Sequence, residues 1–163
     1  MRLKTTALFF LIAIMVMAQS QVPQWEQFET SFTLHTEKNP FLRSTSCELH
    51  YPLDFSKMNE AAQVLMEYED FGAFCKAHAD VKTTLCQMMA AQWYQTSPTT
   101  WYFEIRANRF LRNMVRAVVG TLIEVGRGRI DIDGFRRIIE GKSRTNAGES
   151  MPAHALFLED ITY

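Results

Sequence analysis

The sequence predicts an α+β domain in which a sheet rich in antiparallel strands packs against helices. Three observations support this class. Residues 31–35 alternate apolar and polar side chains with the period of a strand. Residues 86–94 and 100–107 form two extended runs separated by a proline-containing turn, as in an antiparallel pair. Residues 111–125 carry apolar side chains at helical spacing.

The composition places the chain among folded globular domains. It has 163 residues, of which 47% are hydrophobic and 21% charged, and its formal net charge is -1. These values exclude a disordered tail, a collagen-like fibre and a protein with several membrane spans. The three cysteines include no C-x-x-C pair and the four histidines are scattered. We therefore expect buried free thiols and no metal site.

The remaining elements have local signals of their own. A helix runs through residues 58–66, with Asp54 or Ser56 as its N-cap. Gly126 and Gly128 are placed to end the long helix. The other predicted elements, in chain order, are a short helical turn at 70–74, a second helix at 132–140 and a closing strand at 155–163.

Three arginines occur at helical spacing just before and within the long helix. Arg109, Arg112 and Arg116 lie three and four residues apart, so we expect them on one side of the helix, opposite the apolar stripe. Gly120 extends this row and leaves room for close approach. A planar guanidinium holds a phosphate or a carboxylate through two hydrogen bonds. The alternative is an exposed basic helix face that binds nothing.

The near-zero net charge conceals an uneven distribution. Ten Lys and Arg residues lie between positions 106 and 144, against four acidic residues. This local excess of positive charge suggests an anionic partner, with nucleic acid as the first candidate. A solvated helical surface with some salt bridges is the alternative.

The N-terminus differs from the rest of the chain. Two basic residues precede an apolar run at 7–18, and small residues follow, which is the pattern of a secretory signal. The run is shorter than the roughly 18–20 residues that a bilayer span needs. The sequence therefore divides into a signal-peptide-like segment at 1–20, an unassigned linker at 21–30 and a domain at 31–163. A buried N-terminal helix is the alternative for the first segment.

Four blocks of sequence occur in an order that is specific to one family. The longest is F-L-R-N-M-V-R-A-V-V-G-T-L-I-E-V-G at 110–126. The others are L-D-F-S-K-M-N-E-A-A at 53–62, D-F-G-A-F at 70–74, and the ending at 144–163 with its Pro152. Together these blocks resemble the C-terminal domain of the tRNA pseudouridine synthase A family.

This resemblance implies a fold, a reaction and a partner. Family members have two similar α/β domains joined across a basic cleft, and they work as homodimers. They convert uridines of the tRNA anticodon arm to pseudouridine without a cofactor. By similarity, Arg116 pairs with the nucleophilic aspartate, and Arg109 and Arg112 contact the RNA. Leu156 packs near the target base. The alternative for Arg116 is that it pairs with Glu124 or with a neighbouring loop. The alternative for Leu156 is that it is part of the core.

The family's aspartate motif, R-T-D-x-G in the N-terminal domain, is absent from this sequence. The nearest match, Arg144-Thr145-Asn146, belongs to the C-terminal block, and its amide is no nucleophile. We therefore predict no catalytic residue in this chain, with Arg116 in a supporting role. The family also places a base-stacking tyrosine on the strand that enters this domain. On that strand this sequence has Phe32, which at best keeps the aromatic ring of the tyrosine and lacks its hydroxyl group.

Three possible functions follow from the resemblance and from the features in which this sequence departs from the family pattern. The first is a truncated tRNA pseudouridine synthase, inactive unless a separate chain supplies the aspartate domain. The second is a non-catalytic RNA-binding half-domain, and the third is an exported α+β protein of lost function. The family predicts a cytoplasmic protein and the N-terminus predicts export, which leaves localisation open. Strand edges that lack a second domain predict a homodimer or a self-associating chain.

Overall fold

The computed structural model describes residues 27–76 and 79–162. These residues form one five-stranded sheet and three helices, which confirms the predicted α+β class. The strands are β1 (Gln27–His35), β2 (Cys47–Glu48), β3 (Met88–Ser97), β4 (Thr100–Ala107) and β5 (Leu156–Thr162). The helices are α1 (Phe55–Val64), α2 (Met114–Gly126) and α3 (Ile132–Glu140), and a 3₁₀ helix (Gly72–Phe74) lies at the predicted helical turn.

Strand β1 is the centre of the sheet. On one side it pairs antiparallel with β4, which pairs antiparallel with β3 in turn, so the predicted hairpin of two extended runs is confirmed. On its other side β1 pairs antiparallel with β5 and, at its end, parallel with β2. The order across the sheet is therefore β3-β4-β1-β5, with β2 beside the end of β1. β2 has only two residues, which is too short for a periodic sequence signal.

The start of α1 is fixed by its N-cap. Asp54 accepts a hydrogen bond from the backbone N–H of Lys57 at 3.1 Å, so Asp54 rather than Ser56 is the cap. The backbone N–H of Asp54 donates to the carbonyl oxygen of Gly126 at 2.9 Å, which ties the start of α1 to the end of α2. A Cβ on Gly126 would lie 2.4 Å from the sulfur of Met58, so glycine permits the two helices to touch there.

Helix α2 begins three residues later than the sequence predicts. Asn113 has a φ of 69°, in the left-handed region, so regular helix cannot extend back through it. Arg109 and Arg112 therefore lie in the turn before the helix. The predicted row of three arginines on one helix side is wrong, because only Arg116 is on α2.

The hydrophobic core lies between one face of the sheet and the helices. Phe32, Trp93 and Phe103 come from three neighbouring strands and are buried together. In α2, every residue except Arg116 and Glu124 is buried. A helix this apolar is enclosed by the protein on nearly all sides. An arginine on it is therefore an exception that needs a local explanation.

The two outer strands, β3 and β5, differ in whether side chains bond to the backbone groups on their outer edges. On β3, the side-chain amide of Asn59 accepts from the backbone N–H of Trp93 at 2.7 Å and donates to the Trp93 carbonyl at 3.3 Å. Gln63 donates to the carbonyl of Ala91 at 2.9 Å. Among the described residues β5 pairs only with β1, and its Leu158 is 58% exposed. The β3 edge is capped by side chains and the β5 edge is open.

The predicted boundaries near the N-terminus meet the structure in part. β1 begins at Gln27, so residues 27–30 of the predicted linker belong to the first strand. The signal-peptide-like segment at 1–20 lies outside the described residues. Within the ranges that the structure does describe, no helix combines the length and the apolar character that crossing a bilayer requires.

Candidate functional site

A groove opens beside the first turns of α2. It has a volume of about 690 Å³ and lies between the start of α2, strand β1 and the residues that lead into β5. Its lining includes Thr30, Lys76, Arg112, Arg116, Arg144 and Leu156. With Lys76, which follows the 3₁₀ helix, four separate parts of the chain meet at this groove.

The groove is lined by cations. Lys76, Arg112, Arg116 and Arg144 reach it, and no carboxylate among the described residues does. None of the four has an ion-pair partner in the described ranges. Positive charge that is gathered in a concave surface and left unneutralised attracts an anionic ligand.

Arg116 is held in place through both its side chain and its backbone. Its Nε donates to the carbonyl oxygen of Met151, and its own carbonyl accepts from the N–H of Met151 at 3.1 Å. Its two terminal nitrogens have no partner among the described residues, which leaves them available to a ligand. Glu124, the alternative partner, pairs instead with Arg127 at 3.0 Å and with Arg129 at 3.1 Å.

The segment that anchors this arginine crosses α2 at a glycine contact. We call residues 147–151 the strap. A Cβ on Gly120 would lie 1.8 Å from the backbone oxygen of Glu149, and a Cβ on Gly148 would lie 2.7 Å from the backbone carbon of Gly120. The N–H of Gly148 also donates to Oγ1 of Thr121 at 2.9 Å. The close approach predicted at Gly120 is confirmed, and the strap makes it.

A second arginine of the groove is bonded to the strap. Arg144 donates from Nη2 to Oγ of Ser150 at 2.7 Å and from Nη1 to the carbonyl of Ala147 at 3.4 Å. Asn113 donates from Nδ2 to the same Ser150 oxygen at 2.5 Å. The sequence contains Arg144 in a recognisable block but did not indicate it as a site residue. Lys76 lies in no motif, so only the fold reveals its place.

The structure brings together three of the five predicted site residues. Arg112, Arg116 and Leu156 all line the groove. Arg109 does not line it, because it lies farther back in the turn before α2. The roles that the resemblance implies for these residues stay predictions.

Phe32 faces the core and not the groove. Its side chain is 0% exposed, so it cannot stack on a base, and the prediction for it needs correction. Alternate residues of a strand share a face, and Thr30, two positions earlier, lines the groove. Oγ1 of Thr30 has no hydrogen-bond partner among the described residues. On this strand the groove is therefore lined by Thr30, whose hydroxyl oxygen is itself buried, and not by the ring of Phe32.

The described lining of the groove contains no carboxylate and no thiol. Cys47, Cys75 and Cys86 are buried free thiols, as predicted. Burial raises the pKa of the Cys47 and Cys86 thiols to about 11, so both are protonated near neutral pH. In the described ranges no three His, Cys, Asp or Glu side chains gather as metal ligands. What this arrangement can do chemically is bind and orient an anion.

The sequence model of a family described as tRNA pseudouridine synthase matches residues 61–163. A tRNA pseudouridine synthase A of Bacteroides fragilis is 54% identical over 132 residues, which cover 81% of this chain and 52% of the relative. The protein of the same name from Parabacteroides distasonis is 57% identical over 128 residues, covering 78% and 50%. That from Bacillus pumilus is 33% identical over 138 residues, covering 85% and 56%.

The matched region and the groove coincide. Apart from Thr30, all the groove residues named above lie within the part that the family model covers. The chain spans about half the length of the curated relatives that it matches. Because the family model matches more than half of the chain, the chain belongs to the tRNA pseudouridine synthase A family.

Proposed function

We propose that this chain binds the anticodon arm of tRNA in the groove and forms one half of a site that converts uridine to pseudouridine. The observation that carries the proposal is the set of four cations without ion-pair partners around a groove that no described carboxylate lines. Lysine and arginine contacts to phosphates supply affinity and fix the position of bound RNA. The relatives' name supports tRNA as the RNA in question.

Arg116 has the central supporting role in this proposal. The family's reaction uses an aspartate nucleophile, and this aspartate comes from outside the 163 residues. A carboxylate that enters a partly apolar groove stays ionised when a cation lies within a few ångströms. The terminal nitrogens of Arg116 are free to supply that cation, and the hydrogen bond from its Nε to Met151 fixes their position.

The floor of the groove suits the target base. A base in a structured RNA has to leave its stack before chemistry at the sugar, which costs a few kcal/mol. Leu156 offers an apolar surface there, and Thr30 lines the same groove. Arg112, beside them, is placed to contact the backbone of the same nucleotide or its neighbour.

We further propose that the chain pairs with a second polypeptide through the open edge of β5. Self-association would give a homodimer, and pairing with a chain that carries the aspartate domain would complete the site. The apolar side chains Phe157 and Leu158, which are 39% and 58% exposed on β5, support an interface at this edge. Transfer RNA is a cytoplasmic substrate, so we place the functional protein in the cytoplasm.

The test uses tRNA labelled with tritium at carbon five of uridine. Substitution at that carbon releases tritium, whereas binding alone does not. We expect the purified chain to retain tRNA in a salt-dependent manner without release. We expect release when the part of the Bacteroides fragilis relative that lies outside its match to this chain is added. Release from this chain alone, or failure to retain tRNA at low salt, would contradict the proposal.

A non-catalytic RNA-binding module is the second candidate. The absence of a carboxylate from the described groove lining favours it. Persistent tRNA retention with no release in any mixture would support this candidate over the first. Export of the protein is tested separately by the mass of its mature N-terminus. Cleavage near residues 18–20 would support a working signal, and an intact Met1 would oppose it.

A further inference from the structure

We propose that Ser150 and Arg144 form a binding subsite for a phosphate oxygen of the RNA. This inference rests on the proposed function, because it assigns a place to RNA in the groove. In this subsite the Ser150 hydroxyl contacts the RNA directly. The phosphate binds at Arg144 and Ser150, and not at Arg116. Both residues line the groove.

The hydrogen bonds of Ser150 leave one group unused. A serine hydroxyl has two acceptor lone pairs and one donor hydrogen. Asn113 donates to this oxygen at 2.5 Å and Arg144 donates to it at 2.7 Å, which occupies both lone pairs. No described residue accepts the hydroxyl hydrogen of Ser150. The hydrogen is therefore left to an acceptor on a ligand in the groove.

Arg144 supplies the charge of the subsite. Two of its five N–H groups are used, one on the Ala147 carbonyl and one on Ser150. The other three have no acceptor among the described residues, and no carboxylate there neutralises the guanidinium. Arg144 and Ser150 are also bonded to each other, so their free donors converge on one volume of the groove. Adjacent donors with net positive charge match the oxygens of a phosphodiester.

The strap keeps this subsite rigid. On one side of Ser150, the N–H of Gly148 bonds to Thr121, and on the other the N–H of Met151 bonds to the carbonyl of Arg116. Both anchor points belong to α2, which is buried. Donors that are fixed before a ligand arrives lose less conformational entropy when it binds.

A phosphate fits this subsite better than the carboxylate of a partner protein does. Arg116 already offers one guanidinium with two free terminal nitrogens for a single carboxylate. Lys76, Arg112 and Arg144 remain as three further cations along the groove. A polyanion uses several separated cations, and a lone aspartate does not.

The experiment compares Ser150→Ala with Ser150→Thr, which keeps a hydroxyl. A fluorescent RNA hairpin with the sequence of a tRNA anticodon arm is titrated with each variant at several salt concentrations. Ser143→Ala is the matched control, because Ser143 lies nearby and, among the described residues, its hydroxyl bonds only to Thr145. We expect Ser150→Ala to weaken RNA binding about tenfold, the effect of losing one hydrogen bond to a charged group. Ser150→Thr and Ser143→Ala should bind like the wild type.

The salt dependence separates a direct contact from a general structural defect. Ser150→Ala removes no charge, so the slope of log affinity against log salt should not change. Arg144→Gln should reduce that slope by about one phosphate contact. Wild-type affinity in Ser150→Ala, or equal loss in Ser150→Ala and Ser150→Thr, would overturn the inference.

A second experiment, which begins without RNA, distinguishes failure of the subsite from failure of the proposed function. Inorganic phosphate is titrated into the ¹⁵N-labelled protein, and NMR follows the Ser150 amide and the Arg144 Nε–H signals. We expect both signals to shift in the wild type, and the Arg144 signal to shift less in Ser150→Ala. If phosphate shifts these signals but the RNA hairpin does not bind, the subsite stands and the tRNA proposal fails. If RNA binds and neither phosphate nor RNA moves these signals, the subsite is wrong.

Discussion

The basic residues of this protein fall into two regions with opposite character. In the first, on β4, around α3 and just after the C-terminal end of α2, positive side chains have carboxylate partners. Arg129 bonds to Glu124 at 3.1 Å and Lys142 to Asp70 at 2.6 Å. The other paired residues of the basic stretch are Arg106, Arg127, Arg136 and Arg137. In the second region, the groove, four cations have no such partner within the described residues.

This difference shows why a count of charges does not locate a binding surface. The stretch from 106 to 144 has six more basic than acidic residues, yet six of its ten basic residues are paired. The paired residues present little net field to a ligand, and such surface pairs stabilise the fold weakly. The unpaired residues that the fold gathers at one groove carry the field. The comparison predicts that substitutions in the two regions have different consequences.

The largest effect is expected where the strap meets α2. Gly120→Ala would place a Cβ 1.8 Å from the backbone oxygen of Glu149, and backbone cannot move aside as a flexible side chain does. We expect a loss of about 3 kcal/mol in the free energy of unfolding, measured by urea denaturation. RNA affinity should fall more than tenfold, because the strap anchors Arg116.

Gly72→Ala is the matched control for this substitution. Its Cβ would meet no atom closer than 3.4 Å, which is ordinary contact. We expect a change below about 1 kcal/mol and unchanged RNA binding. If Gly120→Ala folds as stably as Gly72→Ala, the strap does not depend on this contact.

An intermediate effect is expected from single arginines in the two regions. Arg112→Gln removes an unpaired guanidinium that we place at the RNA backbone, so RNA affinity should fall about tenfold, with a shallower salt dependence. Arg129→Gln removes a paired one, and Glu124 keeps its bond to Arg127 at 3.0 Å. The affinity of Arg129→Gln for RNA should equal that of the wild type in fluorescence titrations. Equal losses in the two variants would erase the distinction between the regions.

The smallest effect concerns the pH dependence of the paired region. A hydrogen bond from Lys142 and others from Thr84 and the N–H of Gly72 lower the pKa of Asp70. The charged carboxylate therefore stabilises the fold above its unfolded pKa of about 3.9, and this stabilisation is lost as the pH falls through the lower folded value. Asp70→Asn should cost about 1 kcal/mol at pH 7.

Measuring the free energy of unfolding of both proteins at lower pH tests the direction of this pH dependence. Urea denaturation of wild type and Asp70→Asn should converge once the pH falls below the lowered pKa of the folded Asp70 carboxyl, because the wild-type carboxyl is then protonated as well. Asp133→Asn is the control, since Asp133 is exposed and has no ion pair among the described residues. A constant difference between wild type and Asp70→Asn from pH 7 to pH 2 would show that the carboxylate charge is not the cause.

Local patterns predicted most of the fold correctly. β4 and α3 occupy the predicted residues 100–107 and 132–140, because alternation and helical spacing are properties of neighbouring residues. The start of α2 was missed because the left-handed Asn113 interrupts a pattern that is otherwise helical from Leu111 onward. A single backbone angle of this kind leaves no trace in the spacing of apolar residues.

The site was predicted less completely, for a different physical reason. Arg116, Arg112 and Leu156 were found through residues that a family shares. Lys76 was missed because it reaches the groove by tertiary packing, with its backbone N–H bonded to the carbonyl of Arg112 at 3.0 Å. Phe32 was assigned to the groove because the family places a base-stacking tyrosine on this strand. Thr30 and Phe32 share one face of β1, yet only Thr30 lines the groove, so the position along the strand relative to the core decides which side chain reaches it.

The capped edge of β3 limits how copies of this protein can assemble. The Asn59 amide satisfies both the N–H and the carbonyl of Trp93, so an incoming strand finds those groups already bonded. The edge of β5 has no such side-chain bonds among the described residues, so it is the longer edge left open to strand addition. Two copies joined through β5 about a twofold axis would each use this edge, and neither could then add a further strand there.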